Sequence, residues 1–384
     1  MAHPAARLQS HHFLSGGSSR LFLTAMGIVS WVVGMTIPAL ADEVNPFLAL
    51  CQNHDRLSLE AQHTLDQLLQ TVAVTDCETG DRRLSNTTQL TLNDAQIRDV
   101  SVLASLRSLT ELYLSNNEIQ TVDPLGQLTN LTVLSLDGNQ IDDMAPLTPL
   151  TNLQSLDLSR NHIREVPSLA SLTELETLDL SHNQIQTVEA LSANSSLRSL
   201  NLSHNRITNI DPLSTLINLQ SLVFDQNQVI QLTAVKNLTQ LSSLRFNANA
   251  VTDIRPIQYL EALITLDVDN NPIASDEQLR IIQTVDRRRL QIKNECLGCN
   301  LAGLDFSNGD LIGAYLENAN LSNANLQNAD LVGAVLERAD LSNANLRGAD
   351  LTDAILTNAT LTGANLEDAN LCSAELPWGY ESQC

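Results

Sequence analysis

Aromatic residues make up only 3% of this 384-residue chain, and lysine occurs only at Lys236 and Lys293. So few large rings exclude an ordinary globular core built around them and leave few anchors for a dominant interaction hot spot. Cations are scarce as well: 21 Lys and Arg against 44 Asp and Glu give a net charge of −23. That field repels nucleic acid and anionic lipid; it suits basic partners and also keeps an extended protein soluble. No nucleophile beside a base, glycine-rich phosphate loop or H-E-x-x-H pair is present, so the sequence reads as a non-enzyme without cofactor or metal.

The amino terminus has the form of an export signal. Arg7 and Arg20 precede the apolar run LFLTAMGIVSWVVGM, and Pro38-Ala39-Leu40-Ala41 ends it with small residues where a signal peptidase cuts. Residues 1–41 are therefore an expected signal peptide, with the alternative that Leu21 to Leu40 remains as a membrane anchor. After cleavage no stable membrane insertion is expected. The compartment is periplasmic, lumen-like or secreted. Six cysteines in an exported chain point to disulfides, and they fall in sequence pairs, Cys51 with Cys77, Cys296 with Cys299, and Cys372 with Cys384.

Leucine opens a near-identical segment at Leu109, Leu131, Leu153, Leu175, Leu197, Leu219, Leu241 and Leu263, a strict period of 22. Two inward leucines spaced by two, such as Leu112 and Leu114, mark a short strand in each segment. An asparagine follows at Asn117, Asn139, Asn161, Asn183, Asn205, Asn227, Asn249 and Asn271. At a chain bend its amide can satisfy backbone groups that lack a ladder partner. Upstream, Ser58 can cap a helix with Ala61, Leu65, Leu68, Leu69 and Val72 on one face, giving an N-terminal helical cap over 42–86. Downstream, Ser275-Asp276-Glu277-Gln278 reads as a capping box opening a short helix through Leu279, Ile281 and Ile282. The basic run Arg287-Arg288-Arg289 is then expected to be a solvated hinge.

These segments resemble the leucine-rich repeat family, specifically its 22-residue internalin-like type, across about half the chain, residues 87–274. Thr87 and Ala95 depart from the pattern in the first coil, and Phe224 and Phe246 replace leucine on two strands. The resemblance implies protein recognition through a concave sheet. Its central column would be Thr91, Tyr113, Ser135, Asp157, Asp179, Asn201, Val223, Arg245 and Asp267, with Glu111 and Asp137 in the flanking columns. The candidate partner-binding residues are Glu111, Tyr113, Asp137, Asp157, Asp179, Asn201, Val223, Arg245 and Asp267.

From Leu301 to Leu376 the chain repeats in fives, as in AYLEN, ANLSN, ANLQN and ADLVG, with a central leucine or Phe306 and an alanine two residues earlier. This resembles the pentapeptide-repeat family and implies a right-handed four-sided β-helix over 296–376, joined through a capping helix and linker at 275–295 and followed by a tail at 377–384. Leu304 and Gly309 replace alanine in its first coil. The expected fold class is a repeat solenoid: a curved leucine-rich array with helical caps, then the quadrilateral β-helix.

Read in columns of 20, Asp310, Asp330 and Asp350 make an acidic ladder. Ile312, Val332 and Thr352 with Tyr315, Val335 and Ile355 make an apolar corner that fits either a partner or the tail Pro377-Trp378-Gly379-Tyr380. His182 and His204 stack one coil apart but supply too few ligands for zinc. Together these features describe a non-catalytic binding or scaffold protein with a protein partner. The alternative is an acidic DNA mimic, a role the pentapeptide resemblance brings with it.

Overall fold

The computed structural model describes residues 46–273 and 275–377. The expected signal peptide, Cys384 and the tail from Trp378 onward lie outside the described residues.

Three helices precede the first strand: α1 (Pro46–Gln52), α2 (Leu59–Thr71) and α3 (Cys77–Leu84). Ser58 caps α2 by accepting from Ala61 N at 3.1 Å, and Ala61, Leu65 and Leu68 are buried on its inner face. The flanking segments, which carry no long apolar period, are helical too. Phe47 and Cys51 of α1 and Leu84 of α3 join the same core, and Asp76 caps α3 through Thr79 N at 2.8 Å. A disulfide joins Cys51 to Cys77, tying α1 to the start of α3. The cap reaches the array through His63 Nε2 on Ala95 O (2.8 Å) and Thr64 Oγ1 on Asp99 O (2.7 Å).

Nine parallel strands follow among the described residues: β1 (Gln89–Thr91), β2 (Glu111–Tyr113), β3 (Val133–Ser135), β4 (Ser155–Asp157), β5 (Thr177–Asp179), β6 (Ser199–Asn201), β7 (Ser221–Val223), β8 (Ser243–Arg245) and β9 (Thr265–Asp267). Each pairs with the next in unshifted 22-residue register, Leu112 on Leu134 and Leu134 on Leu156, so the inward leucines stack into one continuous ladder. Phe224 and Phe246 extend it as parallel rings 5.5 Å apart. Short 3-10 turns such as Asp123–Gln127 and Asp211–Thr215 return the chain, each burying a leucine.

After each strand the chain bends through a left-handed residue, with φ near +55° at Asn116, Arg160, His182 and His204. The following asparagine resolves the unpaired amides of that bend. Asn161 Oδ1 accepts from Ile141 N at 2.9 Å, while its Nδ2 donates to Leu136 O at 2.9 Å and Leu158 O at 3.1 Å. The same set recurs from Asn117 to Asn271, so every asparagine holds its own coil and the one before it.

The segment expected to form a short helix and a solvated hinge is instead one helix, α4 (Asp276–Lys293). Ser275 caps it, but the capping box is only half formed, because Gln278 Oε1 turns to Ile254 N at 2.9 Å. Arg288 Nη1 donates to two carbonyls of the array's last coil, Leu260 O at 3.1 Å and Leu263 O at 2.7 Å. Arg287 lies over the Phe306 ring, 5.8 Å from its centroid. The basic triplet is helical and docked because the end of a solenoid presents acceptors that only cationic or N–H donors can meet. Val285 belongs to the leucine core and Leu290 to the core of the second solenoid, so one helix serves both.

The second solenoid is built of isolated parallel bridges between residues 20 apart, such as Tyr315 to Val335 to Ile355. Leucines and alanines fill its interior; Leu316, Leu336, Ala314 and Ala334 are fully buried. It starts one pentapeptide earlier than the leucine spacing indicates. Glu295 bridges Tyr315, Cys296 takes the central leucine position, and Cys299 takes the alanine position of the next repeat. Both cysteines therefore face inward and form a disulfide beneath α4. Asp286 of α4 is buried there, its Oδ2 accepting from Asn300 N at 2.8 Å. Burial raises its carboxyl pKa to about 6, and the Asn300 N–H bond and then the nearby Arg289 only partly offset this.

Two stability tests follow from these contacts. Asn161→Ala orphans the buried Ile141 amide and takes one of two asparagine donors from Leu136 O and Leu158 O, and should cost roughly 2 kcal/mol in urea denaturation, with Asn271→Ala at the half-exposed end costing less. Because the folded pKa of Asp286 lies above the ordinary 3.8, its contribution to stability is full below about pH 4 and declines as pH rises to about 6. Asp286→Asn, which keeps an acceptor for Asn300 N, should remove that decline and gain roughly 2 kcal/mol on the wild type between pH 4 and pH 7. Equal pH profiles would exclude the effect.

Candidate functional site

The unshifted register lines up one residue from each strand along the outer face of the sheet. Tyr113, Ser135, Asp157, Asp179, Asn201, Val223, Arg245 and Asp267 stand side by side in that order. Glu111 lies in the adjoining column and Asp137 at the strand end, so the nine residues expected to bind a partner share one face.

That face has three zones. In the first, Tyr113 OH donates to Glu111 Oε2 at 2.9 Å, which raises the phenol pKa, and Ser135 Oγ donates to Asp137 Oδ1 at 3.0 Å. In the middle, Asp157 and Asp179 are direct neighbours, each also accepting from the amide two residues on, Ser159 N at 2.9 Å and Ser181 N at 2.8 Å. Asn201 Nδ2 donates to Asp179 Oδ2 at 2.8 Å. Burial, and then the Asp179 and Asp137 charges, raise the Asp157 carboxyl pKa against the lowering effect of Ser159. No ion pair among the described residues reaches this acidic centre.

In the third zone Arg245 is clamped between Asp225 Oδ2 at 3.3 Å and Asp267 Oδ2 at 3.0 Å. Its charge is therefore met within the face, and the prominence that its lone arginine has in sequence does not carry over to the surface. Asp225 was not among the expected site residues. Its signal was its place one coil before Arg245 at the strand end.

In the second solenoid, Ile312 and Tyr315 are 50% and 54% exposed, whereas Val332, Val335 and Ile355 are half-buried. Thr352 belongs to this corner by position, but its hydroxyl donates to Asp350 Oδ1 at 2.5 Å.

Known proteins bear on both halves. The family model described as Leucine Rich repeats (2 copies) matches residues 107–149, 151–193 and 195–237, and that for Pentapeptide repeats (8 copies) matches 299–338 and 339–376. The chain is a leucine-rich-repeat array joined to a pentapeptide-repeat domain. Its structure is similar to internalin C2 from Listeria monocytogenes, with 25% identity and a TM-score of 0.50, over 53% of this chain and 91% of that one. A second L. monocytogenes internalin, inlF, shares the fold at 23% identity and a TM-score of 0.54, covering 90% of this chain and 100% of that one. No curated protein matches the sequence. Repeats of these two kinds generally serve as interaction scaffolds and are typically non-enzymatic.

Two other clusters gather side chains of metal-ligand type. His182 and His204 stack with centroids 3.9 Å apart on successive leucine-rich coils. Burial, then His204 and Arg160, lower the His182 pKa. Asp286, Cys296 and Cys299 bring their ligand atoms within 4.8 Å of one another. The two sulfurs are bonded to each other and so offer no thiolate, while the carboxylate is occupied by Asn300 N. Cys372 is also disulfide-bonded, and its expected partner Cys384 lies outside the described residues.

The neighbouring carboxylates at the centre of the leucine-rich face oppose folding, since an asparagine fits the same position: Asn201 Oδ1 accepts from Ser203 N at 3.1 Å. Asp157→Asn should therefore stabilise the protein by roughly 0.5–1 kcal/mol at neutral pH, read from denaturant midpoints. A destabilised variant would show that the carboxylate serves the fold.

Proposed function

We propose that this protein is a non-catalytic binding scaffold that works outside the cytoplasm and holds a protein partner on the outer face of its leucine-rich sheet. The observation that carries this reading is the adjacent Asp157–Asp179 pair, half-buried, in register and unmatched by any cation among the described residues. A cationic side chain from a partner would relieve the repulsion there and offset the cost of burying the two carboxylates. Tyr113 at one end and Val223 towards the other supply flanking non-polar contact. Surrounding serines and threonines offer hydroxyls at little cost in side-chain freedom.

The extracytoplasmic reading is supported by the disulfides at Cys51–Cys77 and Cys296–Cys299 and by the bonded Cys372. No helix among the described residues is long and apolar enough to cross a membrane. Periplasm, a lumen and the exterior all suit a chain of this chemistry.

Affinity capture from the exported fraction tests the proposal. Wild type should retain a partner that Asp157→Asn/Asp179→Asn loses by roughly tenfold or more, with added salt weakening retention. Tyr113→Ala/Arg245→Ala should weaken it less, because Arg245 is already paired. Unchanged retention by both variants, or a partner found only in the cytoplasm, would reject the reading.

A further inference from the structure

We infer that the pentapeptide column carries a second docking surface, for a basic amphipathic helix of a partner protein. This surface is separate from the leucine-rich face, and its test does not depend on that face.

The surface is the corner where Ile312, Val332 and Thr352 run beside Tyr315, Val335 and Ile355. Ile292, at the end of α4, is 60% exposed, and it lines one cavity with Ile312 at the head of the column. Tyr315, Val335 and Ile355 bridge one another in register, so the apolar side chains form a stripe along the axis. From first coil to third it spans two strand spacings, about 10 Å. That matches the roughly 10 Å between residues i and i+7 on one face of an α-helix.

Carboxylates bound this stripe. Asp310, Asp330 and Asp350 stack along one side, Glu295 and Glu375 close the two ends of the Tyr315 column, and Glu317 and Glu337 stand on the far side. Arg338 meets Glu317 at 3.6 Å and Glu337 at 3.4 Å, so that side is partly neutralised. Lys293 adjoins the head of the stripe. No ion pair among the described residues reaches the three aspartates.

Folding alone does not account for this ladder, as the same column contains the comparison. On another side, Asn325, Asn345 and Asn365 occupy the equivalent positions. Their amides link successive coils: Asn325 to Asp305 at 2.9 Å, Asn345 to Asn325 at 3.0 Å and Asn365 to Asn345 at 3.3 Å. Both residue types bond the amide two residues on, as Asp330 does with Val332 N and Asn325 with Gln327 N, each at 3.3 Å. Asparagine thus fulfils the structural role and adds a bond between coils, whereas the aspartates bond within their own turns, Asp350 to the Thr352 amide and hydroxyl and Asp310 to Ile312 N. Three aspartates beside this apolar corner describe a surface shaped for cations flanking an apolar ridge.

The probe is a synthetic helical peptide with leucines at three- and four-residue steps and lysines on both flanks, titrated into the full chain by fluorescence anisotropy. Binding should weaken with salt. It should fall roughly tenfold in Asp310→Asn/Asp330→Asn/Asp350→Asn, which keeps the turn bonds and the fold, and by at least as much in Ile312→Asp/Tyr315→Asp. Asp157→Asn/Asp179→Asn should leave it unchanged. Equal binding of a scrambled peptide of the same composition, or wild-type affinity in the triple asparagine variant, would overturn the proposal. So would stronger capture of the chain by uncharged lipid vesicles than by the peptide. A tenfold gain on removing residues 377–384 with Cys372→Ser would instead make the tail the occupant of the stripe, and would equally overturn it.

Discussion

Everything in the first solenoid depends on one demand: a backbone that bends once per coil must satisfy the amides and carbonyls that the bend leaves unpaired. The buried asparagine meets that demand from both sides, accepting from the preceding coil and donating to two carbonyls. An aspartate in its place would lack the two donors, and a leucine would meet none of the three groups. Because each asparagine clasps its neighbour, register is set coil by coil, and the sheet can be narrow and poor in aromatics yet unshifted over nine strands. The outer face inherits that register, which is why identical or opposed charges end up side by side there.

The ends of such a stack pose the complementary problem, since the last coil has no neighbour to clasp. At the amino end three helices and a disulfide cover the opening; at the carboxyl end side chains of α4 meet the last coil, Arg288 donating to its carbonyls and Gln278 accepting from Ile254 N. The head of the β-helix is closed differently, by a pair of cysteines facing inward where a leucine and an alanine would otherwise sit. Its buried companion Asp286 holds Asn300 in place and carries an ionisation cost that the surrounding packing sustains.

Residues repeating at 22 and at five made the architecture legible, because each period reports an interaction between a coil and its identical neighbour. Asn161 and Leu156 announce their roles wherever they recur. What the sequence concealed were contacts without a period. Helices α1 and α3 lack a long amphipathic pattern and form around the Cys51–Cys77 link and the edge of the leucine core. Arg287 to Arg289 look like solvated charge until the last-coil carbonyls of Leu260 and Leu263 are placed beneath Arg288. Arg245 looks like an anchor until Asp225 and Asp267 are found on either side of it. Cys296 hides its pentapeptide position because a cysteine replaces the leucine that defines the repeat.

Helix α4 has a consequence for how the protein responds to force and heat. Linear stacks fray from their termini, where a coil has lost one neighbour, and two separate stacks would have four such places to begin. With Val285 in one core and Leu290 in the other, the inner pair of termini is removed. A single lattice remains with two places to fray, one beneath the N-terminal helices and one at the last pentapeptide coil. Strain applied to either solenoid crosses to the other through a single shared helix.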